Sequence, residues 1–395
     1  MKKLFVSLFS GAGGLDQGFV DAGWEHAFMV DNWQPAIDTL SANWHDAPVY
    51  GWDLSDPADS FLGFALDNVH RIHRDAEIMC VVGGPPCQPL SRLNNNQLFD
   101  GNRETERNMN DPRRSLFMSF LRIVRRISPP LVVMENVADL KTRKLGGTGP
   151  DRNRLILDVI LEEFDKTGYA VIADVLRAQK YNVPQMRRRI IFVGVRKDIG
   201  IAPSLPIPTG LATSVAAEFA RIRPEHPNQD MKAHTAVWVD KIRHIPPGGY
   251  YNDLPLEYKV LKSVDKVMLS RADPVGKTVW VSNGYCLRTT GGKLMDGEVC
   301  AKAIVSGATF YKVMPRMGTY LRRIRETVSH TVTRNPLIHP IENREITVRE
   351  KAAVQTFPPE YCFVGTIQDQ HILVGNAVPC NLGRAVAEHL QRMMM

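Results

Sequence analysis

The chain has 395 residues and a formal net charge of +7, from 49 Lys+Arg against 42 Asp+Glu; 44% of it is apolar and 23% charged. Values this close to the globular average exclude a disordered, collagen-like or coiled-coil protein, and the length predicts two or three units. No apolar run reaches the roughly 18 residues of a membrane span, so no membrane association is expected. Six cysteines, at 80, 87, 286, 300, 362 and 380, form neither a CxxC pair nor a disulfide framework. That usage predicts a reduced, cytoplasmic protein without a metal site.

Leu4 to Phe9 reads as a first strand and not as a signal peptide, because Gly and Asp follow too soon. Gly11-Ala12-Gly13-Gly14 then leads into a helix from Leu15 to Ala22. A strand from Ala27 to Val30 ends in Asp31, and a helix from Pro35 to Asn43 leads to a short third strand and Asp53. Ile78 to Val82 is a fourth strand, ending in Gly83-Gly84-Pro85-Pro86. Ser115 to Ile127 has helical spacing of Leu116, Phe117, Phe120, Leu121, Val124 and Ile127. Strand Leu131 to Met134 runs into Glu135-Asn136-Val137. A helix from Leu155 to Thr167 and strands Tyr169 to Val175 and Ile190 to Val195 follow. This alternation predicts an α/β fold of βαβ units around a parallel sheet.

The rhythm breaks at Ile201, where Pro203, Pro206 and Pro208 fall close together. From there to about Arg334 short strands, turns and loops are expected. Residues 221–330 hold 18 Lys+Arg against 10 Asp+Glu, whereas the remainder holds 31 against 32. The excess charge therefore lies in this middle segment, either as a solvated surface or as cations that neutralise phosphates. Glu345 to His389 is regular again and helical at both ends.

Five features carry candidate chemistry. A strand, a Gly11-x-Gly13-Gly14 turn and a helix let a ligand approach the backbone closely, although such turns also serve packing alone. Asp31, at the end of the next strand, stands where a Rossmann-like site places an acid on ribose hydroxyls. Cys87, in Gly84-Pro85-Pro86-Cys87-Gln88, follows two prolines at a strand end, where open α/β sheets put their sites; a thiolate there can attack an electrophilic carbon. Cys80, inside the apolar strand, reads as buried and inert. Glu135 follows four apolar residues, a setting that favours the protonated form and so an acid role, with a capping or salt-bridged glutamate as the alternative. In Gln185-Met186-Arg187-Arg188-Arg189 the strand period puts Gln185, Arg187 and Arg189 on one face.

Taken in order, Phe9-Ser10-Gly11-Ala12-Gly13-Gly14, Pro86-Cys87-Gln88, Glu135-Asn136-Val137, Gln185-x-Arg187-x-Arg189, Thr347-Val348-Arg349-Glu350 and Gly375-Asn376-Ala377-Val378-Pro379 resemble the DNA cytosine-5 methyltransferase family, of the compact bacterial or phage type. The resemblance covers about 1–197 and 328–395. It implies a Rossmann-like S-adenosylmethionine-dependent methyltransferase fold, a mostly parallel sheet with helices on both faces, interrupted by a smaller, irregular β-rich target-recognition domain at 198–327. It implies a cofactor pocket of Phe9, Gly11, Ala12, Gly13, Gly14, Asp31, Asn32, Asp53, Leu54, Pro86, Leu116, Asn376 and Val378, with S-adenosylhomocysteine as product. Asp31 stands where many members have Glu.

The resemblance further implies that Cys87 is the nucleophile, that Glu135 acts at ring nitrogen 3 of the cytosine, that Arg189 holds the exocyclic oxygen, and that Arg187 lies near the cysteine and a phosphate. Gln88, Ser91, Arg92 and Gln185 are expected to touch DNA. A buried Arg349–Glu350 pair is expected to be structural, and the C-terminal helix, from about Asn381 to Gln391, to return beside the first strand. The implied partner is double-stranded DNA, with a cognate restriction endonuclease as a functional partner, a monomeric state and a prokaryotic cytoplasm. A transfer-RNA methyltransferase is the alternative, but its branch typically carries a Cys-Phe-Thr signature that this chain lacks. A silent DNA-binding homologue and, from the glycine loop alone, a nicotinamide dehydrogenase are the other readings; the last leaves Cys87 and Glu135 unexplained.

Overall fold

A computed structural model describes residues 2–56, 60–74, 76–86, 115–144, 153–210, 212–250, 253–254, 260–264, 285–286, 310–314 and 322–395. The chain divides into two compact units, one of Met1–Lys232, Arg325–Arg334 and Ile346–Met395, the other of Ala233–Ile324 and Asn335–Glu345.

In the first unit seven strands form one sheet: β1 (Leu4–Leu8), β2 (Glu25–Asp31), β3 (Val49–Gly51), β4 (Ile78–Gly83), β5 (Leu131–Val137), β6 (Tyr169–Arg177) and β7 (Arg188–Arg196), in the order β3-β2-β1-β4-β5-β7-β6. Strands β1 to β5 run parallel, as the alternating pattern predicts. Strand β7 is the exception and pairs antiparallel with both β5 and β6. Only residues 178–187 separate β6 from β7, and a parallel return needs a crossover of a dozen or more.

The helices are α1 (Gly14–Asp21), α2 (Gln34–Asn43), α3 (Ser60–Ile72), α4 (Ser115–Ile127), α5 (Ile156–Lys166) and α6 (Val215–Phe219) in the first unit, α7 (Ala236–Ile242) in the second, then α8 (Val348–Val354), α9 (Ile367–Asn376) and α10 (Cys380–Met393), again in the first. Helix α3 was not anticipated, although Phe61, Leu62, Ala65 and Val69 give it a helical stripe, and all four are buried.

Both sheet faces are covered. On one, Val6, Val81, Val132 and Phe192 share a core with Ala65 of α3, Phe120 of α4 and Phe164 of α5. On the other, Phe5, Val82, Val133 and Ile191 share a core with Phe19 of α1 and Leu382 and Val386 of α10. The period of two in β7 sends Ile190 and Phe192 to the first face and Ile191 and Val193 to the second. The C-terminal helix thus does return beside the first strand. The connection from β1 runs through α1 on one face to β2 and that from β4 runs through α4 on the other to β5, so the connections diverge between β1 and β4, and the crevice of an open α/β sheet lies at the carboxyl ends of those strands.

The boundary between units differs from the expected 198–327. Residues 198–232 stay with the first unit because Ile199, Ile201 and Leu205 join its core. The N–H groups of Val215 and Ala216 also donate to the carbonyls of Thr327 and Glu326, at 2.8 and 2.9 Å. Residues 335–345 join the second unit because the buried Arg323 guanidinium donates to the carbonyls of Ile242, Ile245, His339 and Glu342 and to Asn343 Oδ1. Ile338 shares a small core there with Ile242, Ile245 and Leu254. The described strands of the second unit, β8 (Val260–Val264), β9 (Tyr285–Cys286) and β10 (Phe310–Met314), form an antiparallel sheet in the order β8-β10-β9. The second unit holds 15 Lys+Arg against 9 Asp+Glu, so most of the surplus charge stays with it. Among the described residues no helix is long and apolar enough to cross a membrane.

Candidate active site

The glycine loop follows β1 through three left-handed residues, Phe9, Gly11 and Gly13, with φ of 55, 56 and 70°. Such angles turn the chain sharply into α1, with Gly13 as its N-cap. At Gly14 a Cβ would lie 2.2 Å from the Val378 carbonyl oxygen, so only glycine lets the loop after α9 cross the start of α1. Residues from the two ends of the chain thereby meet. At Gly11 an added Cβ would meet nothing within 4 Å among the described residues, so the loop backbone faces open space.

Asp31 closes this loop from the end of β2. Its Oδ2 accepts the Gly11 N–H at 2.8 Å and its Oδ1 the Trp33 N–H at 2.9 Å. Burial raises its carboxyl pKa, and the N–H donors of Trp33, Gly11 and Asn32 oppose that shift. Each oxygen keeps further acceptor capacity. Asn32 beside it is exposed. Asp53 Oδ1 accepts the Ser55 N–H at 2.9 Å in a tight turn, and Leu54 is buried. Leu116 in the first turn of α4 and Pro86 after β4 are half-buried. Open loop backbone, a carboxylate with spare lone pairs and the partly buried Phe9 ring suit a nucleoside-bearing cofactor.

The carboxyl ends of β4 and β5 bring the second group together. Glu135 Oε1 lies 2.6 Å from Arg189 Nε, both side chains being mostly buried. In the antiparallel register Val137 faces Arg189 and Glu135 faces Ile191, so the pair is diagonal across β5 and β7. The wholly apolar setting expected of Glu135 is therefore corrected in favour of the salt-bridged alternative: β7 pairs with β5 and brings the Arg189 guanidinium across to it. Gly84 makes room for this carboxylate, since a Cβ there would lie 3.1 Å from Glu135 Oε2. The buried Asn136 Nδ2 donates to the Pro85 carbonyl at 3.1 Å and so anchors the chain that leads to Cys87. Burial pushes the Cys80 thiol pKa well up, in keeping with an inert role.

Two expectations about the arginine box need correction. Gln185 is fully buried and does not face solvent. Its Nε2 donates to Gln355 Oε1 at 2.6 Å and to the Val354 carbonyl at 3.1 Å, and its Oε1 accepts the Val332 N–H. It makes no surface for DNA. Arg187 is 1% exposed, with Nη1 donating to the carbonyls of Val332 (2.7 Å) and Gly375 (3.1 Å) and Nη2 to that of Asn376 (3.0 Å). It caps the carboxyl end of α9 instead of meeting a phosphate, because the residues before β7 pair with the segment around Ser329. Burial, with Arg189 nearby, lowers its pKa well below the usual arginine value, and Glu135 opposes the shift.

Gln355, which the motifs did not single out, completes this clasp by donating to the carbonyls of Val374 (2.7 Å) and Ala377 (3.2 Å). Asn376 itself is exposed, and Val378 is buried against the glycine loop. Arg349 and Glu350 are both structural but serve different partners. Glu350 closes a capping box with Thr347, while Arg349 donates to the carbonyls of Pro359 and Tyr361. Cys87, Gln88, Ser91 and Arg92 lie outside the described residues.

A family model, C-5 cytosine-specific DNA methylase, matches residues 4–392. The chain belongs to this family. It is a DNA cytosine-5 methyltransferase with S-adenosylmethionine as methyl donor. Similar proteins include the type II methyltransferase M1.HphI of Haemophilus parahaemolyticus, 29% identical over 100% of this chain and 88% of its own length. The type II methyltransferase M.DdeI of Desulfomicrobium norvegicum is 28% identical over 98% of this chain and 88% of its own. Among solved structures, a protein described as a DNA modification methyltransferase encoded within an Escherichia coli prophage superposes over 99% of both chains with a TM-score of 0.61 at 20% identity. The Dnmt2 methyltransferase of S. pombe does so over 99% and 98% with 0.55 at 12%. These last two likenesses concern the fold.

Proposed function

We propose that this methyltransferase works on a cytosine flipped out of duplex DNA, through a covalent adduct with Cys87. The Glu135–Arg189 pair at 2.6 Å, beside the Pro85 carbonyl that Asn136 holds, carries this reading. S-adenosylmethionine, when bound, supplies an electrophilic methyl group. Cytosine carbon 5 is a weak nucleophile in an aromatic ring. Attack of the Cys87 thiolate on carbon 6 forms a carbon–sulfur bond and pushes electrons toward ring nitrogen 3, which leaves carbon 5 enamine-like. Glu135, protonated, donates to that nitrogen. Arg189 swings from the carboxylate toward the exocyclic oxygen, which Glu135 no longer needs once it carries a proton. Carbon 5 takes the methyl group and S-adenosylhomocysteine leaves; a water molecule then accepts the carbon 5 proton, the carbon–sulfur bond breaks, Cys87 departs as thiolate and the ring is restored. Each group acts more strongly on the charge-shifted ring than on the resting base. An intact duplex hides the base, so it must be flipped out, at a cost of a few kcal/mol.

The cofactor lies on the other half of the crevice. Asp31 receives the ribose hydroxyls, Phe9 faces the adenine and Asp53 its amino group, with Gly11, Ala12, Gly13, Gly14, Asn32, Leu54, Pro86, Leu116, Asn376 and Val378 around them. The second unit reads the target, its surplus of basic residues meeting phosphates. The enzyme acts as a monomer in a prokaryotic cytoplasm, alongside a cognate restriction endonuclease. Labelled methyl transfer to duplex DNA and to transfer RNA tests the substrate: label in DNA alone is expected, and label in RNA alone contradicts it. Cys87→Ser is expected to bind DNA and transfer nothing.

A further inference from the structure

Beneath the glycine loop lies a buried polar and aromatic stack that none of the motif residues accounts for. The Tyr361 hydroxyl donates to the Ala12 carbonyl at 2.7 Å, and its ring is 3% exposed. Trp44 meets Tyr361 edge-on, with ring centroids 5.5 Å apart. His26 packs on Trp44 at 4.9 Å, with its Nε2 3.4 Å from Asp16 Oδ1 in the first turn of α1. The fit to the loop is close: a Cβ on Gly13 would lie 2.5 Å from the Trp44 ring and 2.8 Å from the Tyr361 hydroxyl.

The loop needs such a tether. Gly11 and Gly13 both take left-handed angles and flank Ala12, so the backbone between them is intrinsically free. On the ligand side Gly11 is bound by Asp31 alone among the side chains of the described residues. On the inner side the Ala12–Gly13 peptide is held at both ends: its N–H donates to the Ser10 carbonyl at 2.9 Å within the loop, and its carbonyl accepts the Tyr361 hydroxyl, the bond that ties the loop to the rest of the fold. Tyr361 is itself held, since the buried Arg349 guanidinium donates to its carbonyl and to that of Pro359 at 2.7 Å each. A chain of contacts therefore runs from α8 through Arg349 and Tyr361 to the loop after β1.

We infer that Tyr361 is a positioning residue for cofactor binding, acting by pre-ordering the Gly11–Gly14 loop through the Ala12 carbonyl. The inference rests on the cofactor assignment proposed for this loop. Ordering the loop before binding lowers the entropy lost on binding, so removal of the bond weakens the ligand without touching the methyl-transfer step. Tyr361→Phe removes one oxygen and no packing. Trp44→Phe alters the packing and keeps the bond.

Calorimetric titration of each full-length protein with S-adenosylmethionine, without DNA, is the test, with KM and kcat measured alongside. For Tyr361→Phe we expect Kd to rise roughly three- to tenfold, KM to rise with it, and kcat to stay within about twofold. For Trp44→Phe we expect a lower thermal midpoint at a Kd close to wild type. Unchanged Kd in Tyr361→Phe, a fall in kcat at unchanged KM, or wild-type Kd in a folded fraction of a destabilised variant would each overturn the role of Tyr361. Failure of the wild-type protein to bind S-adenosylmethionine would overturn the cofactor assignment itself, and this inference with it.

Discussion

Arg187 and Asn376 stand far apart in sequence, yet the Arg187 guanidinium donates to the Asn376 carbonyl at 3.0 Å and to that of Gly375 at 3.1 Å. A cation at the carboxyl end of α9 satisfies carbonyls that the helix leaves open. The same contact holds the Asn376–Val378 turn against the glycine loop, where Val378 crosses Gly14. Arg187 therefore places backbone at the site.

Replacement of Arg187 tests that role. Arg187→Leu leaves buried carbonyls of Val332, Gly375 and Asn376 without donors and should destabilise the fold by about 2–4 kcal/mol. Urea midpoints measure it. A loss of DNA affinity at unchanged stability would instead favour a phosphate contact.

The Glu135–Arg189 pair gives a kinetic prediction. Glu135→Gln keeps the shape and a hydrogen bond to Arg189 but removes the acid, and single-turnover methyl transfer should fall by roughly 10²–10⁴-fold. DNA binding and cofactor binding should survive. A rate within about threefold of wild type would remove Glu135 from the chemistry.

Much of the fold was legible in the sequence because its signals are local. Strand and helix signals located β1, β2, β4, α2, α4 and α5 within a residue or two, since the strands are short apolar runs buried on both faces and the helices are amphipathic. The direction of β7 was not legible, because a run such as Ile190 to Val195 buries both faces whether parallel or antiparallel. The same limit hid the surroundings of Glu135: its neighbour in space comes from β7. At the site, the glycine loop and Asp31 were readable from strand-end chemistry. Gln355 and Tyr361 were not, because each acts through one hydrogen bond to a carbonyl distant in sequence. The DNA contacts expected of Gln185 and Arg187 came from the resemblance, and strand alternation gives a shared face but not whether that face is buried, as both side chains are.

Asp31 predicts an affinity change. Asp31→Ala removes the acceptors of the Gly11 and Trp33 N–H groups as well as any bond to ribose, so S-adenosylmethionine Kd should rise about 10–100-fold. Asp31→Glu should retain more of the affinity than Asp31→Ala. Equal affinities for Asp31→Ala and wild type, by direct titration, would place the ribose elsewhere.

His371 makes stability depend on pH. Its ring lies in α9 beside Lys351, whose Nζ donates to the His371 carbonyl at 3.0 Å. Burial, then the charges of Lys351 and Lys232, bring its pKa down to about 3 from an ordinary 6.5. The stability gained by keeping the ring neutral is complete above pH 6.5 and is lost as pH falls toward 3. Unfolding free energy should therefore decline by up to about 1.4 kcal/mol per pH unit in that window from this group alone. His371→Gln should remove that component; identical pH profiles for the two proteins would contradict it.

The second unit, with its surplus of basic residues, predicts a salt dependence. Each phosphate contact removed by substituting one of its lysines with glutamine should lower the slope of log K against log salt by about 0.9. An unchanged slope after several substitutions would move the phosphate contacts to the first unit.

Bisulfite sequencing of DNA from cells that express the chain is the most direct test of the central claim. The account predicts protected cytosines confined to one recurrent short sequence, present with the wild-type protein and absent with Cys87→Ser. Uniform conversion of all cytosines with the wild-type protein, or protection that persists with Cys87→Ser, would contradict it.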